Sequence, residues 1–167
     1  MGRTLVAGFG NVLRGDDGFG VEVIRRLETD GLLGAGVELL EVGTGGLRLA
    51  QELLGGYDRL IVVDAMTRGG APGTVYALEV ESVAPTREID LHLAIPSRAL
   101  SVAQALGVLP PQVFLVGCEP AEVDELGTDL TPAVRRAVDA VIDQIRALVH
   151  GGPAGASSAG AQNQAIG

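Results

Sequence analysis

Gly8-Phe9-Gly10-Asn11-Val12-Leu13-Arg14-Gly15-Asp16-Asp17-Gly18-Phe19-Gly20 follows the apolar run Thr4-Leu5-Val6-Ala7 and precedes the amphipathic run Val21-Glu22-Val23-Ile24-Arg25-Arg26-Leu27. That order reads as a strand, a glycine-rich turn and a helix, with two adjacent carboxylates at the helix entrance. Glycines let a backbone turn tightly or approach a ligand closely. A helix N-terminus that binds phosphate should not carry its own anions, so the acids suit helix capping or a cation. The glycine spacing also fails the dinucleotide fingerprint, because Leu13 stands where the third glycine is needed. A nucleotide-binding module is thus a lesser alternative.

Outward from this stretch, apolar runs recur with helical patterns between them. Strands are predicted at 3–8, 37–42, 60–64, 74–79 and 112–117, and helices at 17–30, 46–54, 96–106 and 131–149. Continuous Val/Ile/Leu strands alternating with helices imply an α/β fold whose mostly parallel, five-stranded sheet carries helices on both faces. The Gly/Pro-rich stretch between 60–64 and 74–79 leaves no room for a crossover helix. One of those two strands is therefore expected to run antiparallel, as a hairpin at the sheet edge. Thr131-Pro132 reads as an N-cap and first-turn pair for the last helix. Residues 1–150 fit one domain, and the Gly/Ala/Ser/Gln tail 151–167 is too poor in apolar residues to order itself.

Composition narrows the function. Aromatics are only 3% of the chain, so its packing must come from Val, Leu, Ile and Ala. All 12 basic residues are Arg, which removes Schiff-base lysine chemistry and the lysine of a Walker-type phosphate loop. A net charge of -9 argues against a nucleic-acid surface. Cys118 is the single cysteine, so neither a disulfide framework nor a multi-cysteine zinc site is available; a buried hydrophobe is its simplest reading. No stretch has the ~18 uninterrupted apolar residues of a membrane span, and no secretion signal opens the chain. Membrane insertion is not expected, and the cytoplasm is the expected compartment.

Open α/β sheets place ligands beyond the carboxyl edge of their strands. Asp16 and Asp17 follow the first strand, Glu41 lies near the end of the second, and Asp64 ends Leu60-Ile61-Val62-Val63-Asp64. A charge ending a buried strand is costly unless partnered or solvated. Only His92 and His150 supply imidazole; His150 opens the tail, which leaves His92, just before the third helix. Two carboxylates and one imidazole on separate strand-end loops would suit a borderline divalent ion such as zinc or nickel. Asp16 and Glu41 are the nearest spare carboxylates and hence the candidate catalytic bases. No Gly-x-Ser-x-Gly segment indicates a serine nucleophile.

Taken together, Gly8-Phe9-Gly10-Asn11-Val12-Leu13 with Asp16-Asp17-Gly18 and Gly20, then Gly43-Thr44, Val62-Val63-Asp64-Ala65, His92 and Gly117-Cys118-Glu119-Pro120, resemble the hydrogenase maturation endopeptidases in order and spacing. The resemblance runs over about residues 3–149. It implies a twisted, three-layer sheet between helices and an aspartate- and metal-dependent endopeptidase. The substrate it implies is the [NiFe]-hydrogenase large-subunit precursor, whose C-terminal extension is removed after nickel insertion. Carried over by position, the metal contacts are Asp17, Asp64 and His92. The nickel would come with the substrate, and zinc or cadmium are other divalent ions able to occupy the site. Glu41 stands where relatives tend to carry aspartate. The alternative is a nickel-dependent chaperone that binds the precursor without cutting it.

Overall fold

Strand β1 (Thr4–Phe9) is buried along its whole length. The computed structural model describes residues 2–31, 33–80 and 94–150. After β1 come a 3-10 turn (Gly15–Gly18), α1 (Phe19–Asp30), β2 (Val37–Gly43), α2 (Gly46–Leu53), β3 (Arg59–Ala65), β4 (Val75–Glu79), α3 (Ala94–Ala105), β5 (Gln112–Cys118) and α4 (Pro132–His150). The five strands lie in the order β2-β1-β3-β5-β4. The first four of these neighbours run parallel, and β4 runs antiparallel to β5 at the edge.

Side-chain alternation explains the layers, since successive residues of a strand face opposite sides of the sheet. Val6, Ile61, Val63, Phe114 and Val116 pack against α1 and α4, whose contributions include Ile24, Leu27, Val138, Val141 and Ile145. Leu5, Ala7, Phe9, Leu60, Val62 and Val113 pack on the other face against Leu49, Leu53, Ala99 and Ala103 of α2 and α3. Both faces are thus buried, as the unbroken apolar strands require. Helix α1 ends at Gly31, whose left-handed conformation (φ 61°) lets its N–H bond the Leu27 carbonyl at 3.0 Å. At the start of α4 the Thr131 carbonyl accepts from Arg135 N–H at 2.8 Å, with Pro132 in the first helical position.

Two expectations need correction. Strands β3 and β4 do not form a hairpin: β5 lies between them and bonds both. The chain from β3 crosses the end of β5, where Met66 N–H bonds the Cys118 carbonyl and Gly73 N–H the Glu119 carbonyl. The edge position and antiparallel sense of β4 stand. The second correction is at the first helix, whose predicted opening residues 17 and 18 belong to the 3-10 turn, with Gly18 as the N-cap of α1 and no side chain capping it. The tail 151–167 lies outside the described residues.

The first turn of α1 sits almost on the sheet. A methyl group at Gly20 would collide with the carbonyl oxygens of Phe9 and Val63, and one at Gly8 with the Gly20 carbonyl and Ile24. Only glycines allow this approach, which sets where the acidic turn before α1 meets the strand ends. Gly20→Ala is expected to cost about 3 kcal/mol, the upper end of overpacking. Gly45→Ala, whose added methyl would meet nothing within 4 Å, is expected to cost about 1 kcal/mol or less. Urea unfolding of both variants checks the contrast.

Candidate functional site

Helix α1 links β1 to β2 on one face of the sheet, and α2 links β2 to β3 on the other. The winding therefore reverses between β1 and β3, which is where an open α/β sheet leaves a crevice at its carboxyl edge. Asp64 is the penultimate residue of β3, and Asp17 lies in the 3-10 turn after β1. Gly10 sits between them with φ 123°, a conformation that L side chains rarely adopt. A side chain there would strike the Asp17 carbonyl and lie 3.5 Å from Asp64 Oδ1.

The two carboxylates have few partners among the described residues. Asp17 Oδ2 accepts from the Asn11 N–H at 3.0 Å, and Asn11 Oδ1 in turn accepts from the Leu13 N–H at 2.9 Å, which folds the loop back on itself. Asp17 is half-buried and caps no helix. Asp64 is buried, and among the described residues its Oδ1 accepts from the Ala65 N–H, at 2.8 Å. Burial first, and the negative charge of Asp17 second, push the Asp64 carboxyl well above the usual carboxylate range, against the pull of the Ala65 N–H. Among the described residues neither acid enters an ion pair. Neighbouring acids with no counter-charge among the described residues are suited to meeting a cation from outside.

Asp16 is different from its neighbour. It is fully buried, and its oxygens accept from Ala121 N–H (2.8 Å), Glu122 N–H (3.0 Å), Thr131 N–H (2.7 Å) and the Thr131 hydroxyl (2.8 Å). All four donors come from the segment between β5 and α4. A base must reach a proton on the substrate, whereas this carboxylate is buried and its oxygens are turned to these four donors. The expectation of a catalytic Asp16 thus meets a latch that ties the acidic turn to the loop after β5.

Glu41 ends up at the edge of the pair's neighbourhood. Arg25 of α1 grips both its oxygens, at 3.3 and 3.2 Å, in a solvent-facing pair. The two residues line a shallow depression of about 280 Å³ with Gly10, Asn11, Val12, Gly43 and Thr44. Glu41 therefore borders the loop that holds Asp17 but does not join Asp64. Cys118 belongs to the core, and burial, with Asp16 and Glu119 adding to it, pushes its thiol up to about 12. It is not a thiolate nucleophile near neutrality.

Glu119 is a further organising residue whose part the sequence did not reveal. Buried at the end of β5, its Oε1 accepts from Arg68 N–H, Gly70 N–H and the Tyr76 hydroxyl, at 2.8, 3.1 and 2.7 Å. It fixes the loop that leaves β3 just after Asp64. The sequence offered Glu119 only as part of the Gly117–Pro120 motif, an acid directly after a buried strand, with no role assigned. His92 lies outside the described residues, and among these no group of three or more His, Cys, Asp or Glu could hold a metal ion.

Fold and site together define an open-sheet α/β protein with an anionic site at its switch point. Comparison with known proteins makes the assignment specific. Residues 21–148 match the HycI hydrogenase maturation protease family. The chain is 37% identical over 150 residues to the hydrogenase expression/formation protein HupD of Rhodobacter capsulatus, covering 87% of this chain and 71% of that one. It is 34% identical over 150 residues to the hydrogenase 2 maturation protease of Escherichia coli, covering 88% and 90%. The solved structure of the E. coli hydrogenase maturating endopeptidase HybD superposes with a TM-score of 0.76 at 33% identity, over 90% of this chain and 94% of that one. The [NiFe] hydrogenase maturation protease HybD of Thermococcus kodakarensis gives 0.74 at 26% identity, over 88% and 99%. The chain belongs to the hydrogenase maturation protease family, a family of peptide hydrolases. No helix among the described residues is long and apolar enough to cross a membrane.

Two outcomes follow from the site. Asp64 holds its proton more tightly in the native chain than in the unfolded one, so the native state loses stability as pH rises above the ordinary carboxylate range. Asp64→Asn removes that loss. The variant should be more stable than the parent at about pH 7, by a margin that shrinks toward zero as pH falls to about 4, by denaturant unfolding across that range. Asp16→Asn, which turns an amide donor toward four donors, is expected to cost about 3 kcal/mol in the same assay.

Proposed function

We propose that this chain is an endopeptidase that removes the C-terminal extension of a [NiFe]-hydrogenase large-subunit precursor, and that nickel already in the precursor is what it inspects. The observation that carries this reading is the Asp17–Asp64 pair at the β1–β3 edge, two acids with no basic partner among the described residues. Burial first and the charge of Asp17 second raise the Asp64 carboxyl, and a divalent ion brought to the pair would offset both. Two hard carboxylates and the imidazole of His92 would hold a borderline metal only modestly, and ligands from the precursor would complete it. Selectivity for the loaded substrate follows from that incompleteness.

Within this reading Asp17, Asp64 and His92 contact the nickel, and Asp16 acts as a structural latch. Glu41 is the spare carboxylate nearest the site and the remaining candidate base. Opening of its exposed pair with Arg25 costs little, since such pairs contribute about 1 kcal/mol or less. Nickel bound in the precursor could polarise the scissile carbonyl when it meets the site. Cytoplasmic residence accords with a substrate whose metal centre is still being assembled.

The test is to incubate the chain with nickel-loaded and nickel-free precursor and follow C-terminal truncation by mass. Truncation of the loaded form alone is expected. Asp17→Ala, Asp64→Ala and His92→Ala should each lower the rate by at least about 100-fold with the fold intact by circular dichroism. Stable binding of the loaded precursor without truncation would identify a chaperone, and normal cutting by all three variants would refute the site.

A further inference from the structure

Leu13 and Leu126 are large apolar side chains exposed at 56% and 80%, and nothing in the fold uses them. They are not on loose loops. Gly15 N–H bonds the Gly127 carbonyl at 2.9 Å, and Gly127 N–H bonds the Leu13 carbonyl at 2.9 Å, so 13–15 and 126–128 form a short parallel bridge centred on Arg14 and Gly127. That register sets Leu13 beside Leu126. Arg14 Nη1 donates to the Asp124 carbonyl at 3.1 Å, and the four bonds to Asp16 pin both sides of the bridge from below. Two exposed leucines on so braced a support lose little entropy on binding, which is what an anchor for a partner requires.

The charge around them says what kind of partner fits. Asp124, Glu125 and Asp129 are exposed on the same loop, while Arg14 is the basic side chain of the bridge. The loop that carries Leu13 also carries Asp17, so a protein seated on the leucines would lie against the anionic site. We propose that Leu13 and Leu126 form a docking platform for the large-subunit precursor, accepting an apolar patch of it flanked by basic side chains. This rests on the functional reading above, which supplies the partner's identity. The platform sets affinity for the precursor and takes no part in bond breaking.

The test pairs a processing assay with a direct binding measurement on nickel-loaded precursor. The double variant Leu13→Ser/Leu126→Ser should raise KM at least about tenfold and leave kcat within about twofold. Leu106→Ser, which removes an equally exposed leucine (57%) at the far end of α3, should change neither. Unchanged KM in the double variant overturns the proposal, as does loss of kcat with KM intact. If the parent chain binds the precursor without cutting it, the functional reading fails while binding still decides the platform: tenfold weaker binding by the double variant supports it, equal binding overturns it. A parent chain that does not bind the precursor overturns it too. So does sedimentation showing that the leucines serve only to pair two copies of this chain.

Discussion

At the β1–β3 edge two carboxylates are held near one another by backbone geometry, with no basic partner among the described residues. Asp64 arrives there because an apolar strand carries it to the sheet margin, and Asp17 because the turn after β1 is drawn down onto the strand ends. The approach depends on Gly8, Gly10 and Gly20, where any side chain would meet backbone. The repulsion is a cost to the fold, and a resting protein would lower it by placing an arginine nearby. The chain has 12 arginines, and those that pair among the described residues do so elsewhere, with Glu41, Asp30, Asp139 and Asp129. A pair of acids with no basic partner among the described residues is the kind of local cost that a ligand can offset.

Around that pair two other acids work in the opposite manner, spending their charge on donors. Asp16 gathers four hydrogen bonds from the β5–α4 segment, and Glu119 gathers three around the loop after β3. A carboxylate that gathers several donors is a strong crosslink. Together they tie down the turn that carries Asp17 and the loop that follows Asp64. Acids close in sequence thus divide between holding the site and forming it.

Most of the fold was legible because its signals are periodic. Continuous apolar strands, the helical spacing of Val134 to Leu148 and the Thr131-Pro132 start fixed type and order of the elements to within a few residues. Sheet order was less accessible: inserting β5 between β3 and β4 is a long-range choice that neither strand records. Asp64 was legible from the cost of ending a buried strand in a charge. Apart from the family resemblance, the residues alone did not separate Asp16 from Asp17, since adjacent residues in a turn point in different directions and only the partner loop, more than a hundred residues away, decides which is buried. Glu41 was weighed as a free acid because its partner Arg25 lies on a different element.

The central claim is that Asp17, Asp64 and His92 converge on one ion. Anomalous diffraction from crystals of this chain soaked in zinc examines it without any assay of cutting. A single strong peak is expected at about 2.0–2.2 Å from oxygens of Asp17 and Asp64 and a nitrogen of His92. A peak bound by only one of them, or zinc found solely at other surface acids, would contradict it.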